Sequence, residues 1–171
     1  MKTTVAKKIS LYGLLTTAAL LFGYVEYLVP FNFIAPGVKL GVSNCIVLLL
    51  VIKNKYKSAL TVNVVRIILS VLLFAAPFSI IFSLTAGIIS TIIMILLSKL
   101  KNIGVVGISA LGGCSHNLTQ IFVAYITVGD GVIFYLPFLL IIGILSGVLI
   151  GILVWIILKR INNIKLLDNI L

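Results

Sequence analysis

The sequence has little charge, and above all it has few acidic residues. Only 9% of its 171 residues are charged, and three acids stand against thirteen lysines and arginines. Soluble domains are about 25% charged and about 45–50% apolar, whereas this chain is 62% hydrophobic. A domain of this size leaves much of its surface exposed. The composition therefore excludes a soluble globular fold and predicts an integral membrane protein.

The few acids are also far apart along the chain. Glu26, Asp130 and Asp168 form no cluster, whereas chemistry on a diphosphate needs clustered carboxylates to hold metal ions on the phosphates. The sequence also has no glycine-rich ATP-binding motif. Its two cysteines, Cys45 and Cys114, lie inside apolar segments without the spacing of a metal site. We therefore expect that the chain is not an enzyme and binds neither a metal nor a cofactor.

The net charge of +10 comes from basic residues that are concentrated between apolar segments. Lysines mark the N-terminus, the 53–57 loop, the 99–101 loop and the C-terminus, and the other loops carry none apart from Lys39. No basic patch with interleaved aromatic residues is present, so nucleic-acid binding is not expected. Cytoplasmic loops of membrane proteins are rich in lysine and arginine. The alternation therefore predicts that both termini are cytoplasmic.

Six apolar segments indicate a single all-α domain over residues 1–171, a multi-pass protein of the cell membrane. An N-terminal signal peptide is the alternative for the first segment, but the apolar run is long enough for an uncleaved spanning helix. The second segment is short, which indicates either a helix with little tilt or a re-entrant start beneath the surface. A re-entrant start is tolerated where the backbone faces protein or water. The predicted spans are about 9–29, 38–52, 59–74, 79–97, 105–128 and 132–158.

Polar and ionisable residues interrupt these segments at a cost. A central arginine or lysine costs about 2.5–3.5 kcal/mol on the insertion scale, so such residues are expected to face the interior of the bundle and to mark a functional site. The stretch PGVKLGVSN (36–44) and the stretch SHNLTQ (115–120) carry most of them. We predict that one cavity, suited to an anionic or strongly polar ligand group, is lined by Glu26, Lys39, Asn44, Arg66, His116, Asn117 and Gln120.

Structural roles for the same residues stay open at this point. Arg66 is alternatively neutralised by Glu26 or hydrogen-bonded to backbone carbonyls, and the amides have an alternative role as interhelical hydrogen-bonding groups. Three roles are open for His116: a packed hydrogen-bonding residue, a proton switch, and a metal or haem ligand. The sequence shows no evident second ligand for the last of these. Two stripes of small residues, Gly143-Gly147-Gly151 and Ala19-Gly23, favour close helix packing within the bundle or against another protein.

Several motifs carry a family resemblance. PGVKLGVSN, the helix of Arg66, the stretch 83–87, GISALGGCSHNLTQ and the entry to the last helix at Tyr135-Leu136-Pro137 resemble the Gx transporter family, which is often labelled heptaprenyl diphosphate synthase component I. The resemblance covers about residues 10–155. This family is in turn similar to the substrate-binding S-components of energy-coupling factor (ECF) transporters, which are six-helix proteins with ligand pockets that open outward.

The resemblance implies a function and partners. It implies a vitamin or precursor uptake subunit that works with a transmembrane coupling protein and two cytoplasmic ATPases, with a ligand that is related to quinones or isoprenoids. Lys39, Asn44, His116, Asn117 and Gln120 match its pocket motifs, and Ala19 and Gly23 match the small residues that dock on the coupling protein. The alternatives are a non-catalytic accessory subunit of polyprenyl diphosphate or menaquinone synthesis, and a self-sufficient channel or carrier.

Overall fold

The computed structural model describes residues 5–28 and 41–161, and within these ranges every regular element is helical. Six α-helices and one short 3-10 helix follow each other along the chain. They are α1 (Val5–Leu28), α2 (Asn44–Ile52), α3 (Tyr56–Leu73), α4 (Ser79–Ser98), α5 (Val105–Val128), the 3-10 helix (Asp130–Tyr135) and α6 (Leu136–Ile161). The prediction of an all-α fold is confirmed.

Four helical runs of the described chain are long and apolar enough to cross a membrane. The first spans Ile9–Leu28, and the others are Tyr56–Leu73, Ser79–Ser98 and Asp130–Arg160. The fifth predicted span, α5, has 24 residues, but it is too polar to join this group because its middle carries the stretch 115–120. Helix α3 begins three residues before the predicted segment, and α4 and α5 fall almost where the sequence placed them.

Helix α2 differs most from its prediction. It begins at Asn44 and has nine residues, so it is about 14 Å long at 1.5 Å per residue and falls short of the roughly 30 Å hydrocarbon core. The start of the predicted 38–52 segment, residues 38–40, lies outside the described residues. Gly41 adopts a left-handed conformation with φ +75°, and its carbonyl accepts the backbone N–H of Asn44 at 2.8 Å. This turn starts α2, which is buried on nearly all sides and forms the centre of the apolar core.

Helices α5 and α6 pack closely along their small residues. A Cβ atom on Gly147 would lie 2.6 Å from the Ser109 carbonyl oxygen, and one on Gly113 would lie 2.2 Å from the Gly143 carbonyl oxygen. These positions therefore accept only glycine at the present helix separation. The glycine stripe of α6 packs within the bundle, as small-residue stripes commonly do in membrane helices.

The described loops lie at two opposite ends of the bundle. Helix α1 runs parallel to α3, since the Tyr12 hydroxyl lies 2.9 Å from the Ser58 hydroxyl near their starts and Tyr24 contacts Phe74 where they end. The basic end contains the loops 53–55 and 99–104 with their lysines. The opposite end, which we call the cavity end because the cavity of the bundle reaches it, contains the residues around Gly41 and the connections 74–78 and 129–135. These loops carry no lysine or arginine.

Candidate functional site

A cavity of about 120 Å³ lies between the helices, and residues of all six α-helices contribute to its wall. It reaches from the cavity end, at Glu26 and Ala75, past the middle of the bundle to Met94 and Ser109. Six of the seven residues that the sequence predicts as ligand-binding line it, namely Glu26, Asn44, Arg66, His116, Asn117 and Gln120. The seventh, Lys39, lies outside the described residues.

Arg66 is the main cation of the cavity wall, and neutral side chains hold it in place. Its Nη1 donates to the Ser43 hydroxyl at 2.6 Å, and its Nη2 donates to the Asn44 Oδ1 atom. Its Nε and Nη2 both donate to the Asn63 Oδ1 atom, at 3.0 and 2.7 Å. These contacts satisfy four of the five N–H donors of a guanidinium group. They fix its orientation without neutralising its charge.

Asn63 connects this arginine to the next helix. Its side chain is only 1% exposed, and its Nδ2 donates to the Gly87 carbonyl and to the Thr91 hydroxyl, each at 2.8 Å. A buried amide that uses both its donors and its acceptor is a rigid link, because every alternative orientation would lose a hydrogen bond. Asn63 and Arg66 are three residues apart and therefore share one face of α3. That spacing is the sequence signal for the pair, although Asn63 is not among the predicted ligand-binding residues.

Glu26 reaches Arg66 only through an intervening hydroxyl. Its carboxylate accepts the backbone N–H of Val42 at 2.7 Å and the Ser43 hydroxyl at 3.5 Å, while that hydroxyl accepts from Arg66. The acid and the base attract each other across this bridge. The alternative in which Glu26 directly neutralises Arg66 therefore does not describe this structure, where Ser43 separates the two groups.

The two polar residues of α5 at positions 116 and 117 have different surroundings. The His116 Nδ1 atom lies 3.4 Å from the Ser90 hydroxyl on α4. The Asn117 Nδ2 atom donates to the Leu139 carbonyl on α6 at 2.6 Å. Asn117 therefore ties α5 to α6, which is the structural role that interhelical amides commonly have, and it lines the cavity as well.

Besides the exposed Tyr27, three polar side chains of the cavity wall make no hydrogen bond within the described part of the chain: Ser83, Ser109 and Gln120. Ser109 is only 5% exposed. Buried polar groups in folded proteins are nearly always hydrogen-bonded to protein or to water. These groups therefore face the cavity as open positions for water or for a ligand.

The two residues predicted to dock a partner point inward. Ala19 is 1% exposed, and a Cβ atom on Gly23 would lie 3.8 Å from the Ser43 Cβ atom. Both line the cavity. The outward face of α1 is instead made of large apolar side chains such as Leu14 and Leu21, which are 69% and 60% exposed. Docking at Ala19 and Gly23 stays a prediction; in this conformation Ala19 is buried and Gly23 is half-buried.

An aromatic group at the cavity end was not anticipated from the sequence. The ring centroid of Phe74 lies 5.6 Å from that of Tyr24 and 5.5 Å from that of Tyr27. Tyr27 and Phe74 also line the cavity. The only sequence signal is that these aromatic residues stand near the ends of α1 and α3, where aromatic residues are common at the membrane–water interface.

The described part of the chain brings together no three side chains of histidine, cysteine, aspartate or glutamate that would hold a metal ion. The described cavity wall offers hydrogen bonds and charge attraction from Arg66, with the Glu26 carboxylate and amide and hydroxyl groups around it. Guanidinium, amide and hydroxyl donors are groups that can hydrogen-bond to a polar or anionic ligand.

Comparison with known proteins gives one match. The family described as heptaprenyl diphosphate synthase component I matches residues 15–157. The cavity residues that the structure describes, from Ala19 to Ile150, all fall inside this range. No curated protein and no solved structure matches the chain.

Proposed function

Because the chain belongs to the heptaprenyl diphosphate synthase component I family and its helices surround a polar cavity, we propose that it is a substrate-binding membrane subunit. In this proposal it is the S-component of an ECF-type importer that takes up a small anionic vitamin or precursor, related to quinones or isoprenoids. The observation that carries the proposal is the position of Arg66. A guanidinium group held by three neutral acceptors in a cavity wall is prepared to bind an anion.

The proposed topology has six membrane crossings with both termini in the cytoplasm. The lysines of the 53–57 and 99–101 loops support it, because they lie at one end of the bundle and the other end carries no lysine or arginine in its described loops. In this orientation the cavity opens outward, as uptake requires. Helix α2 crosses only part of the bilayer, and its polar start at Asn44 is tolerated because it faces the cavity.

The proposed partners are a transmembrane coupling protein and two cytoplasmic ATPases. The absence of an ATP-binding motif from the sequence supports this assignment, since import against a gradient would need an energy source in another chain. In the same proposal the chain is not an enzyme. Its acids support this part, because Glu26 is bonded to Val42 and Ser43 and Asp130 starts the exposed 3-10 helix far along the chain.

The second candidate function is a non-catalytic accessory subunit of polyprenyl diphosphate or menaquinone synthesis. The family description favours it, because a first component implies a second one with which it assembles. In that case the membrane helices would hold a soluble prenyltransferase at the bilayer, and Arg66 and Asn63 would be structural groups that join α3 to α2 and α4.

Native mass spectrometry of the protein purified from its own cells tests both candidates at once. We expect a retained anionic metabolite together with the coupling protein and ATPases, and we expect an Arg66→Gln variant to lose the metabolite while it keeps the partners. Thr127→Ala is the matched control, because Thr127 is exposed and bonds only to carbonyls of its own helix. A copurifying prenyltransferase without a bound metabolite would contradict the importer and support the accessory subunit.

A further inference from the structure

The charges of the cavity wall nearly cancel. In its described part the wall holds one guanidinium, from Arg66, and one carboxylate, from Glu26, so its formal charge is zero with a neutral His116. A bound group with one negative charge would leave a net charge of −1 beside Arg66, whereas a phosphate or diphosphate would leave a larger uncompensated charge, which is costlier in a low-dielectric interior.

The free hydrogen-bond donors of the site are few. Of the five N–H groups of Arg66, four donate to Ser43, Asn44 and Asn63, and one on Nη1 has no acceptor among the described residues. The amide of Gln120 and the cavity-wall hydroxyls without a partner in the described chain are further donors, and all of them are neutral. Such a set satisfies the two oxygens of a carboxylate, whereas the more numerous and more highly charged oxygens of a diphosphate would meet a single charged donor group, Arg66.

The cavity is also small. Its volume of about 120 Å³ is well below the roughly 300–1,000 Å³ of pockets that enclose a whole drug-sized ligand. It therefore accommodates the polar end group of a larger ligand. Apolar residues such as Leu20, Ile67 and Ile150 share the wall with the polar ones, so the part of the ligand next to this end group is apolar.

We propose that this cavity receives a single carboxylate at the end of an apolar ligand, and that it excludes diphosphates. The inference rests on the proposed function as a ligand-binding subunit, and it specifies the chemical class of the ligand. A phosphate group alone carries about −1.5 to −2 charges at neutral pH and a diphosphate carries more, so either would leave a larger uncompensated charge in the cavity than a carboxylate does. The prenyl diphosphate in the family's description is consequently not a ligand of this chain.

Three probes with the same ten-carbon chain test this inference. Geranic acid ends in a carboxylate, geranyl diphosphate in a diphosphate and geraniol in a neutral hydroxyl. Binding of each probe to the full chain in lipid nanodiscs is measured by its displacement of radiolabelled geranic acid, with empty nanodiscs as the blank. We expect the acid to bind at least about tenfold more tightly than either of the other probes, as the loss of one charge-assisted hydrogen bond would predict.

Variants separate binding in the cavity from partitioning into the lipid. Gln120→Ala removes a donor without an internal partner, so the protein should fold normally and bind geranic acid about tenfold more weakly. Thr127→Ala, outside the cavity, should bind as the parent protein does.

Equal or tighter binding of geranyl diphosphate, with the same dependence on Gln120, would overturn the carboxylate assignment but leave a ligand-binding subunit. If no probe binds above the blank while the cell-purified protein retains a metabolite of another class, the carboxylate assignment alone fails. If no probe binds and no metabolite is retained, both proposals fail.

Discussion

Replacing Asn63 by leucine would remove the side chain that joins Arg66 to α4. Leucine has nearly the same branched shape, so the change deletes the hydrogen bonds and leaves the packing largely as it is. The oxygen atom of Asn63 accepts two bonds from Arg66, and its nitrogen donates to Gly87 and Thr91. All of these groups lie in the interior of the bundle, where water does not readily replace a lost partner.

The expected loss of stability comes mainly from the arginine. The Gly87 carbonyl would keep the hydroxyls of Ser90 and Thr91 as donors, and neutral interhelical hydrogen bonds in membranes contribute only about 0.6 kcal/mol on average. A hydrogen bond to a charged group contributes about 1.5–3 kcal/mol. We therefore expect Asn63→Leu to lower the free energy of unfolding by about 2–4 kcal/mol.

Unfolding in mixed micelles, induced by SDS and followed by the fluorescence of the single tryptophan, Trp155, measures this loss. Asn102→Leu, in an exposed turn, is the control and should change stability by less than about 0.5 kcal/mol. Asn63→Asp restores an acceptor for Arg66 and should recover at least half of the loss. If Asn63→Leu is no worse than the control, or if Asn63→Asp recovers nothing, Asn63 does not hold Arg66 as described.

Three further predictions address packing, docking and topology. Gly147→Ala places a Cβ atom 2.6 Å from a backbone carbonyl of α5 and should destabilise the protein by about 1–3 kcal/mol. Gly13→Ala is the control, because its Cβ atom meets nothing within 4 Å, and it should leave stability unchanged. Equal effects of the two changes would contradict the close packing of α5 and α6. Gly23→Leu should fill part of the cavity and reduce retention of the metabolite while partner capture is unchanged, and the reverse outcome would place the docking surface at this residue. In a background without native cysteines, an impermeant maleimide added to intact cells should label Gly131→Cys and spare Asn102→Cys, and the opposite pattern would invert the proposed topology.

The helix boundaries were predictable where the sequence carries clear end signals. Helix α5 ends at Val128, where Gly129 adopts φ +103°, a conformation that glycine favours at helix ends. Helix α6 begins at Leu136, directly before Pro137, because proline fits the first turn of a helix but not its interior. The sequence had assigned the residues before it, from 132, to the same segment, and they form a 3-10 helix instead.

The set of polar residues around the cavity was also open to prediction, since ionisable and amide groups in apolar segments avoid lipid. Their partners were not. Whether Arg66 meets Glu26 directly or through Ser43 depends on where α1 and α3 cross, and no residue pattern encodes that depth. The inward position of Ala19 and Gly23 has the same origin, because a stripe of small residues permits close approach without naming the neighbour.

The amino-acid sequence alone was enough to predict that the chain is helical and apolar enough for a membrane, where most helices begin and end, and which residues lipid would reject. These properties follow from transfer free energies and local conformational preferences, which act residue by residue. The folded bundle was needed to show that α2 is a short central helix, that Asn63 and Ser43 hold Arg66, and that the small residues of α1 face a cavity. The rotation and depth of each helix are set by packing against all its neighbours at once, and so they appear only when the whole bundle is assembled.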